Sequence, residues 1–443
     1  MIWRHSLLAG AAFTLAACGT EDSADGSADS GAATASATAP TFECASDVGG
    51  IVFADGFCAV VFADSVASGR YVAVRDDGTV FVNRRGVEGG EGAIVALRDT
   101  TGDGVADVRA LFGEGMRGSG IVASGEHVYA DANGSIVRFT IPAGQLTPTA
   151  PADTIVRQLP RGGHEALTFT LDGNGGLFVN VGSRTNSCQR EDRETGSPGI
   201  DPCVELETRA GIWRFDANRI GQSQSDGVRH ATGIRNGMAM DIDASGQLWV
   251  AQHGRDQFLQ NWPDYYTREQ SAENPGEELL LVAEGDDFGW PYCYHDRERN
   301  LKVLAPEYGG TGQGEVGRCA EKKAAVAAYP GHWAPMDVHF YRGTHFPARY
   351  RDGVFIVFHG SWNRAPLPQD GYVVLFQPMR NGQPAGEYER FADGFKGADE
   401  LLDRADARYR PVALAEAPDG TLYLTDDKSG RVWRITHRGN AAN

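Results

Sequence analysis

One sequence pattern recurs six times and restricts this chain to few folds. Each copy has an alternating apolar and polar run, a turn rich in Gly, Asp or Asn, and a second run. The copies are RYVAVRDDGTVFVNRRG, SGIVASGEHVYADANGSIVRF, ALTFTLDGNGGLFVNVGS, GMAMDIDASGQLWVAQHG, DVHFYRGTHFPARYRDGVFIVFHG and PVALAEAPDGTLYLTDDKSGRVWRI. Pairs such as Asp77-Gly78, Ser245-Gly246 and Asp419-Gly420 lie between the runs, as β-hairpins require. The repeats predict an all-β fold, a six-bladed β-propeller with large inserted loops, because a β-sandwich does not repeat such a unit.

The net charge of the chain limits the classes of molecule that it can bind. The 443 residues carry a formal net charge of −18 at pH 7. A nucleic-acid-binding surface needs a basic footprint, so we expect no nucleic-acid partner.

The N-terminus predicts export. MIWRHSLLAGAAFTLAAC has a positive residue, a short apolar run and small residues before Cys18, as in a secretory signal. LAAC resembles a bacterial lipobox, so we predict a lipoprotein signal peptide over 1–17, a lipidated Cys18 and an outer-membrane lipoprotein facing the periplasm. An ordinary signal peptide with an incidental Cys is the alternative. Residues 18–41 have a tether's composition, and the propeller is expected over 42–438.

Six further cysteines suit an oxidising compartment, where an even number favours disulfides. Sequence alone allows 15 pairings of six cysteines. Their grouping in close twos favours three short-range bridges. These are Cys44–Cys58, Cys188–Cys203 and Cys293–Cys319.

Basic residues precede several of the repeats, where loops form the rim of a propeller's central channel. They are His164, Arg235, His332, Arg408 and Arg410. Arg408 and Arg410 stand one residue apart where a strand is expected to begin, so they should share a face. This grouping indicates a site for a small, multiply charged anion. Surface charges satisfied by nearby acids are the alternative.

A second candidate site is the acidic stretch DTTGDGVAD. Asp99, Asp103 and Asp107 occupy positions 1, 5 and 9 of an EF-hand-like loop, with Gly104 at position 6. The stretch is either a structural calcium loop or a solvated acidic turn.

Several longer segments carry a family resemblance. ATGIRNGMAMDIDASGQLWVAQHGRDQF, NWPDYYT, FGWPYCYHD, HGSWNR and RPVALAEAPDGTLYLTDD resemble the glucose/sorbosone dehydrogenase family, which are pyrroloquinoline quinone (PQQ) enzymes on a six-bladed propeller. The similarity runs from about Gly118 to the end and is greatest to the sorbosone dehydrogenase branch. It implies oxidation of a sugar, sugar aldehyde or related alcohol by hydride transfer to PQQ. A quinone or cytochrome would then accept the electrons.

The resemblance also implies roles for single residues. His164 would be the base that takes the substrate's proton; a structural histidine is the alternative. Calcium would activate the quinone, held in part by the backbone carbonyls of Gly254 and Arg255. The cofactor would be bound by a basic and polar set of side chains. These are Arg235, Asn236, His332, Arg364, Arg408 and Arg410.

Two other functions are compatible with a propeller. A calcium-dependent lactonase would need acidic ligands around the channel, where the sequence places Arg and His. A non-catalytic lipoprotein that binds a partner would need no cofactor at all.

The lipid on Cys18 is testable by substitution. Cys18→Ser should yield an unprocessed or soluble exported form, because the lipid is the expected membrane anchor. Membrane fractionation and the mass of the mature protein measure this. Unchanged fractionation, together with an unmodified wild-type mass, would contradict the assignment.

Overall fold

Six antiparallel sheets surround a central axis as the blades of a propeller, which confirms the predicted fold. The structure is a computed structural model that describes residues 42–85, 93–364 and 367–439. The predicted signal peptide, the tether and Cys18 lie outside the described residues. The first strand of each blade packs against the first strands of both neighbours, so these strands form a ring around the channel.

The strands of each blade are given from the channel outward. Blade 1 contains Gly69–Val74, Val80–Arg84, Ile94–Arg98 and Val108–Phe112. Blade 2 contains Ile121–Ser124, His127–Ala132, Ser135–Thr140 and Asp153–Val156. Blade 3 contains Phe169–Leu171, Gly176–Val181, Gly211–Asp216, Val228–Thr232 and the parallel Asp286–Asp287.

Blade 4 contains Ala239–Ile242, Leu248–Gln252, Glu277–Val282 and Ala327–Tyr329. Blade 5 contains Pro335–His339, Gly353–His359, Tyr372–Arg380, Glu389–Asp393 and Val52–Phe53, and Gln383–Pro384 pairs beside its third strand. Blade 6 contains Pro411–Glu416, Leu422–Asp426, Val432–His437 and Phe57–Ala63.

The inserted loops carry the remaining elements. A two-stranded sheet joins Cys293–Asp296 to Leu301–Leu304. The described α-helices are Phe258–Asn261 and Arg268–Glu273. The described 3-10 helices are Val204–Glu207, Gln224–Asp226, Pro306–Tyr308, Gly317–Glu321, Ala348–Arg351 and Arg404–Asp406. No helix within the described ranges is long and apolar enough to cross a membrane.

The propeller closes by pairing its two ends. Phe57–Ala63 forms the outermost strand of blade 6, with Phe57 opposite His437. Trp433 is buried in the same blade, and its indole N–H donates to the Val48 carbonyl at 2.9 Å. The last blade therefore needs an N-terminal strand to complete it.

Each disulfide joins two cysteines that are close in the sequence. Cys44–Cys58 ties the first described segment to the closing strand, whereas Cys188–Cys203 and Cys293–Cys319 lie in inserted loops of blades 3 and 4. The structure thus forms the three bridges that the grouping of the cysteines favoured.

A tyrosine closes the channel part of the way down. The Tyr71 hydroxyl, on the inner strand of blade 1, donates to the carbonyl of Met336 and lies 3.0 Å from that of Met238. A cavity of about 230 Å³ lies along the inner strands and reaches the ends at which they finish. The loops that lead into the inner strands therefore surround the other mouth of the channel.

Candidate functional site

Four of the predicted site residues lie in the loops just before inner strands. His164 precedes Phe169–Leu171, and Arg235 precedes Ala239–Ile242. His332 precedes Pro335–His339, and Arg410 precedes Pro411–Glu416. Because the inner strands form one ring, these loops meet at one mouth of the channel.

A buried ion pair between Arg235 and Asp256 lies at the centre of this mouth. Asp256 Oδ2 accepts hydrogen bonds from Arg235 Nη2 at 3.0 Å and Arg193 Nη2 at 3.1 Å, and Oδ1 accepts from Asn363 Nδ2 at 2.8 Å. Burial alone would raise the pKa of Asp256, but the adjacent cations, Arg235 first, hold it well below its usual range. Asp256 is therefore ionised and connects the loops of three blades.

The remaining donors of Arg235 bind other parts of the mouth. Nη1 donates to the carbonyl of Gly254 at 2.8 Å, and Nε donates to that of Asn186 at 3.1 Å. The neighbouring Asn236 accepts from Asn180 Nδ2 at 3.2 Å through its Oδ1. Arg235 is thus a fixed, buried cation that holds the loops.

Glu277, the first residue of the strand Glu277–Val282 in blade 4, links two of these loops. Its Oε2 accepts from the Gly254 N–H at 2.9 Å, and its Oε1 accepts from the Ala334 N–H at 3.1 Å. Burial raises the pKa of Glu277 to about 8. Ala334 and the nearby His332 both have positive φ, at 58° and 67°. Such angles are strained in non-glycine residues and persist only where neighbouring contacts enforce them. This loop is therefore held in shape by its contacts.

The ring of His164 has a fixed orientation. Nδ1 lies 3.0 Å from both the carbonyl oxygen and the hydroxyl of Ser183. A carbonyl oxygen only accepts, so Nδ1 carries the proton and Nε2 presents a lone pair in the neutral ring. Gly182 permits this arrangement, because a Cβ there would lie 2.7 Å from the Cβ of His164 and 3.1 Å from Asn236 Oδ1. His164 and Asn236 therefore flank the same glycine.

The protonation state of His164 suits a base. Burial lowers the pKa of His164 well below its usual 6.5, and the positive charge of Arg235 lowers it further. The ring is consequently neutral at pH 7. Its geometry and charge together allow Nε2 to take a proton.

A second charged cluster lies beside the first. His359 Nε2 donates to Asp427 Oδ1 at 2.9 Å, and Arg70 Nη1 donates to Asp427 Oδ2. Burial lowers the pKa of His359 to about 4, with a further contribution from Arg410. Arg410 donates through Nε to the carbonyl of His359 at 3.2 Å and through Nη2 to that of Gly360 at 3.0 Å.

The prediction that Arg408 and Arg410 point the same way is wrong. The strand begins at Pro411, so both residues lie in the preceding loop rather than on a strand face. Arg408 is exposed and donates to the carbonyl of Gly49 at 3.2 Å, in the segment that precedes the strand Val52–Phe53. Only Arg410 turns towards the channel mouth.

Two other predicted cofactor contacts have protein partners. Arg364 donates to Glu273 Oε1 at 2.7 Å and to the Ala272 carbonyl at 2.7 Å. His332 is buried, with Nε2 donating to the Ser271 carbonyl at 2.7 Å. Both residues therefore anchor the loop that contains the helix Arg268–Glu273, beside Asp256.

One of the two predicted metal-binding carbonyls has a protein partner. The Gly254 carbonyl accepts from Arg235, whereas the side chain of Arg255 pairs with buried Glu307. No group of three or more His, Cys, Asp or Glu residues that could hold a metal occurs within the described part of the chain.

In the acidic stretch DTTGDGVAD, the aspartate side chains accept hydrogen bonds from backbone N–H groups of the same stretch. Asp99 accepts from the N–H groups of Gly102 at 2.7 Å and Gly104 at 2.8 Å, and Asp107 accepts from Thr100. Asp103 accepts from the N–H of Val105 at 2.9 Å. These contacts hold the turn in shape, and Asp99 also lies 3.5 Å from Arg434 Nη1.

Several site residues were missed from the sequence. Asp256 directly follows Arg255 in QHGRDQ, and Asp427 ends LYLTDD, so both lie within the quoted motifs. Arg70 and Arg193 pair with these two carboxylates. An aspartate next to a basic residue inside a quoted motif was the sequence signal that could have identified Asp256 and Asp427.

The chain matches a family model described as TrAA12-like over residues 51–438. An uncharacterized protein of Borreliella burgdorferi is 27% identical over 206 residues, which cover 46% of this chain and 48% of that protein. A pyrroloquinoline quinone-dependent pyranose dehydrogenase of Coprinopsis cinerea is 26% identical over 275 residues, covering 54% of this chain and 36% of that protein. The chain thus spans half or less of the length of these curated relatives.

The fold has close counterparts among solved structures. The holo form of the PQQ domain of pyranose dehydrogenase from Coprinopsis cinerea superposes with a TM-score of 0.69 at 19% identity. The superposition covers 87% of this chain and 97% of that domain. At this identity the likeness shows the shared propeller fold.

The ion pair at the centre of the site predicts a stability effect. Asp256→Ala should lower the free energy of unfolding by about 3–5 kcal/mol, because it leaves Arg235 buried without its carboxylate. Urea denaturation at pH 7 measures the change. Asp64→Ala removes the partner of Arg431 at an exposed position and should cost at most about 1 kcal/mol. Equal costs for the two variants would contradict the central position of Asp256.

Proposed function

Because the chain belongs to the TrAA12-like family, we propose that it is a PQQ-dependent dehydrogenase that oxidises a sugar, sugar aldehyde or related alcohol. Family membership confirms the predicted resemblance to PQQ-dependent sugar dehydrogenases. The observation that carries the proposal is His164, whose unprotonated Nε2 lies beside the arginine-rich mouth of the channel. The sorbosone branch remains a prediction.

The residues at the mouth fit PQQ, a planar quinone with three carboxylates and a pyrrole N–H. Arg410 Nη1 and Asn236 Nδ2 have no hydrogen-bond partner within the described chain, so both can donate to an anion. Asn363 Oδ1 and Arg70 Nε are buried and unpaired among the described residues. Buried polar atoms without a partner are rare, and a bound polar molecule would satisfy them.

Arginine is the side chain best suited to such a cofactor. A guanidinium is planar and permanently charged, and its donors match the oxygens of a carboxylate. Arg410 would pair with a carboxylate, Asn236 would donate a neutral hydrogen bond, and Arg235 would support both through its fixed positive charge. Arg408, which faces Gly49, would take no part.

The chain itself supplies the proton acceptor. When bound, PQQ supplies an electrophilic quinone that takes a hydride from the substrate carbon. His164 would receive the hydroxyl proton of the same substrate at Nε2. Ser183 keeps the required tautomer, and burial with Arg235 keeps the ring neutral near pH 7.

The residues described do not fit a calcium ion as the resemblance implied. The Gly254 carbonyl already accepts from the Arg235 guanidinium, and the Asp256 carboxylate accepts three hydrogen bonds. The steps given above involve no metal. Titration of PQQ in EDTA and in Ca²⁺ tests this point separately.

We propose that the protein acts outside the cytoplasm. Three disulfides suit an oxidising compartment. The sequence adds the predicted signal and lipobox, which would confine membrane contact to a lipid on Cys18. An external quinone or cytochrome would receive the electrons.

Arg408 and Arg410 provide a matched pair of variants. Arg410→Ala should weaken PQQ binding about tenfold to a hundredfold, because one charge-assisted hydrogen bond contributes about 1.5–3 kcal/mol. Arg408→Ala should leave PQQ affinity unchanged, because its side chain is exposed and donates to the Gly49 carbonyl instead. Isothermal titration of PQQ into wild type and both variants measures this. Equal losses in the two variants would restore the original assignment of Arg408, and a wild type that binds no PQQ would remove the proposed function.

His164 should control turnover rather than cofactor affinity. His164→Ala should lower kcat by about 10²–10⁴, because it removes the general base. Only the neutral ring accepts a proton, and its pKa lies below 6.5, so wild-type kcat should fall only when the pH drops below 6.5. Dye-reduction assays over a pH series, with saturating PQQ and a sugar panel, measure both effects. His127→Ala, in a hairpin of blade 2, is the control; an acid limb above pH 6.5 would oppose the assignment.

A further inference from the structure

A second cleft lies between the outer edges of blades 2 and 3, away from the channel. It has a volume of about 660 Å³, and its lining includes Arg157, Gln158, Thr208, Trp213, Gln224 and Arg229. Arg157 and Gln158 directly follow the outermost strand of blade 2, and Arg229 lies in the fourth strand of blade 3. The volume falls within the range of small-molecule sites.

Arg229 lies in this cleft without an acidic partner. Its guanidinium stacks over the buried Trp213 ring at 4.7 Å and forms no hydrogen bond with any described residue. Nη2 is buried and unpaired. Burial is the cause that lowers the pKa of Arg229, and no carboxylate opposes it. A half-buried guanidinium with one buried, unpaired nitrogen lacks a counter-ion, so an anion would be stabilised there.

Arg157 adds a second cation to the same cleft. Its side chain is exposed and has no hydrogen bond or ion pair within the described ranges. The nearby Arg219, by contrast, pairs with Asp226 at 2.8 Å. Arg157 and Arg229 thus bring two positive charges into one cleft of a chain whose net charge is −18. The one carboxylate in the lining is the exposed Glu207, so the cleft has a net positive charge.

The other lining groups suit a ligand with many hydroxyls. Gln158 supplies an amide and Thr208 supplies a hydroxyl. The side-chain carbonyl oxygen of Gln224 can accept, while Gln224 Nε2 donates to the Thr208 carbonyl and the Ser223 hydroxyl donates to Asp226. Amides and hydroxyls both donate and accept, as sugar hydroxyl groups do. A carboxylate in the ligand would match the two guanidinium groups.

We propose that this cleft binds an acidic saccharide, with the carboxylate of a uronic acid unit between Arg157 and Arg229. Hydroxyl groups of the sugar contact the amide and hydroxyl side chains of the lining. The site lies on the outer edge of the propeller, so it acts as a separate binding site and does not require the chemistry at the channel mouth.

Isothermal titration of the full chain with digalacturonate tests the proposal. Arg229→Gln and Arg157→Gln should each weaken binding about tenfold, because each removes one charge-assisted contact. Arg219→Gln and His164→Ala should bind as wild type does. Cellobiose, which lacks carboxylates, should bind at least about tenfold more weakly, since it loses the same contacts.

Three results would overturn the proposal. The first is a wild type that binds no digalacturonate. The second is unchanged affinity in both arginine variants; Arg157 is exposed, so its substitution keeps the test valid if Arg229→Gln does not fold. The third is inorganic phosphate that binds as tightly as digalacturonate and displaces it, which would identify the cleft as a site for an adventitious ion only.

Discussion

The buried ion pair between Arg235 and Asp256 is the contact on which the channel mouth depends. Asp256 also accepts hydrogen bonds from Arg193 and Asn363, so one carboxylate ties together loops of blades 3, 4 and 5. Such a pair costs desolvation energy on both sides and is retained only with good geometry and further hydrogen bonds. Burial, together with the positive charge of Arg235, lowers the pKa of His164 and keeps its ring neutral. The structural centre of the site therefore contributes to the protonation state of its base.

The fold could be predicted because its signal is local. Each hairpin is specified by alternation and by a turn that lies between its own two strands, as at Asp77-Gly78. The closure of the ring could not be predicted in this way. Phe57–Ala63 pairs with Val432–His437 at the other end of the chain, and no short-range pattern specifies a partner so distant.

The site was predictable as a region and less so as a set of contacts. The basic residues before the repeats lie in loops that the structure brings to one mouth, namely those of His164, Arg235, His332 and Arg410. The direction of each side chain depends on tertiary partners: Glu273 holds Arg364, and the Gly49 carbonyl holds Arg408. The strand begins at Pro411, three residues after Arg408, and this difference was enough to separate Arg408 from Arg410. The carboxylates of Asp256 and Asp427 could not be identified from the basic residues alone, because tertiary contacts decide which acid balances which arginine.

The central claim is that the mouth of the channel holds PQQ beside His164. A crystal structure of the chain with PQQ bound tests it most directly. The account predicts a PQQ carboxylate on Arg410, none on Arg408, and the quinone facing His164 Nε2 across the substrate position. PQQ bound away from this mouth, or oriented with its quinone remote from His164, would contradict the account.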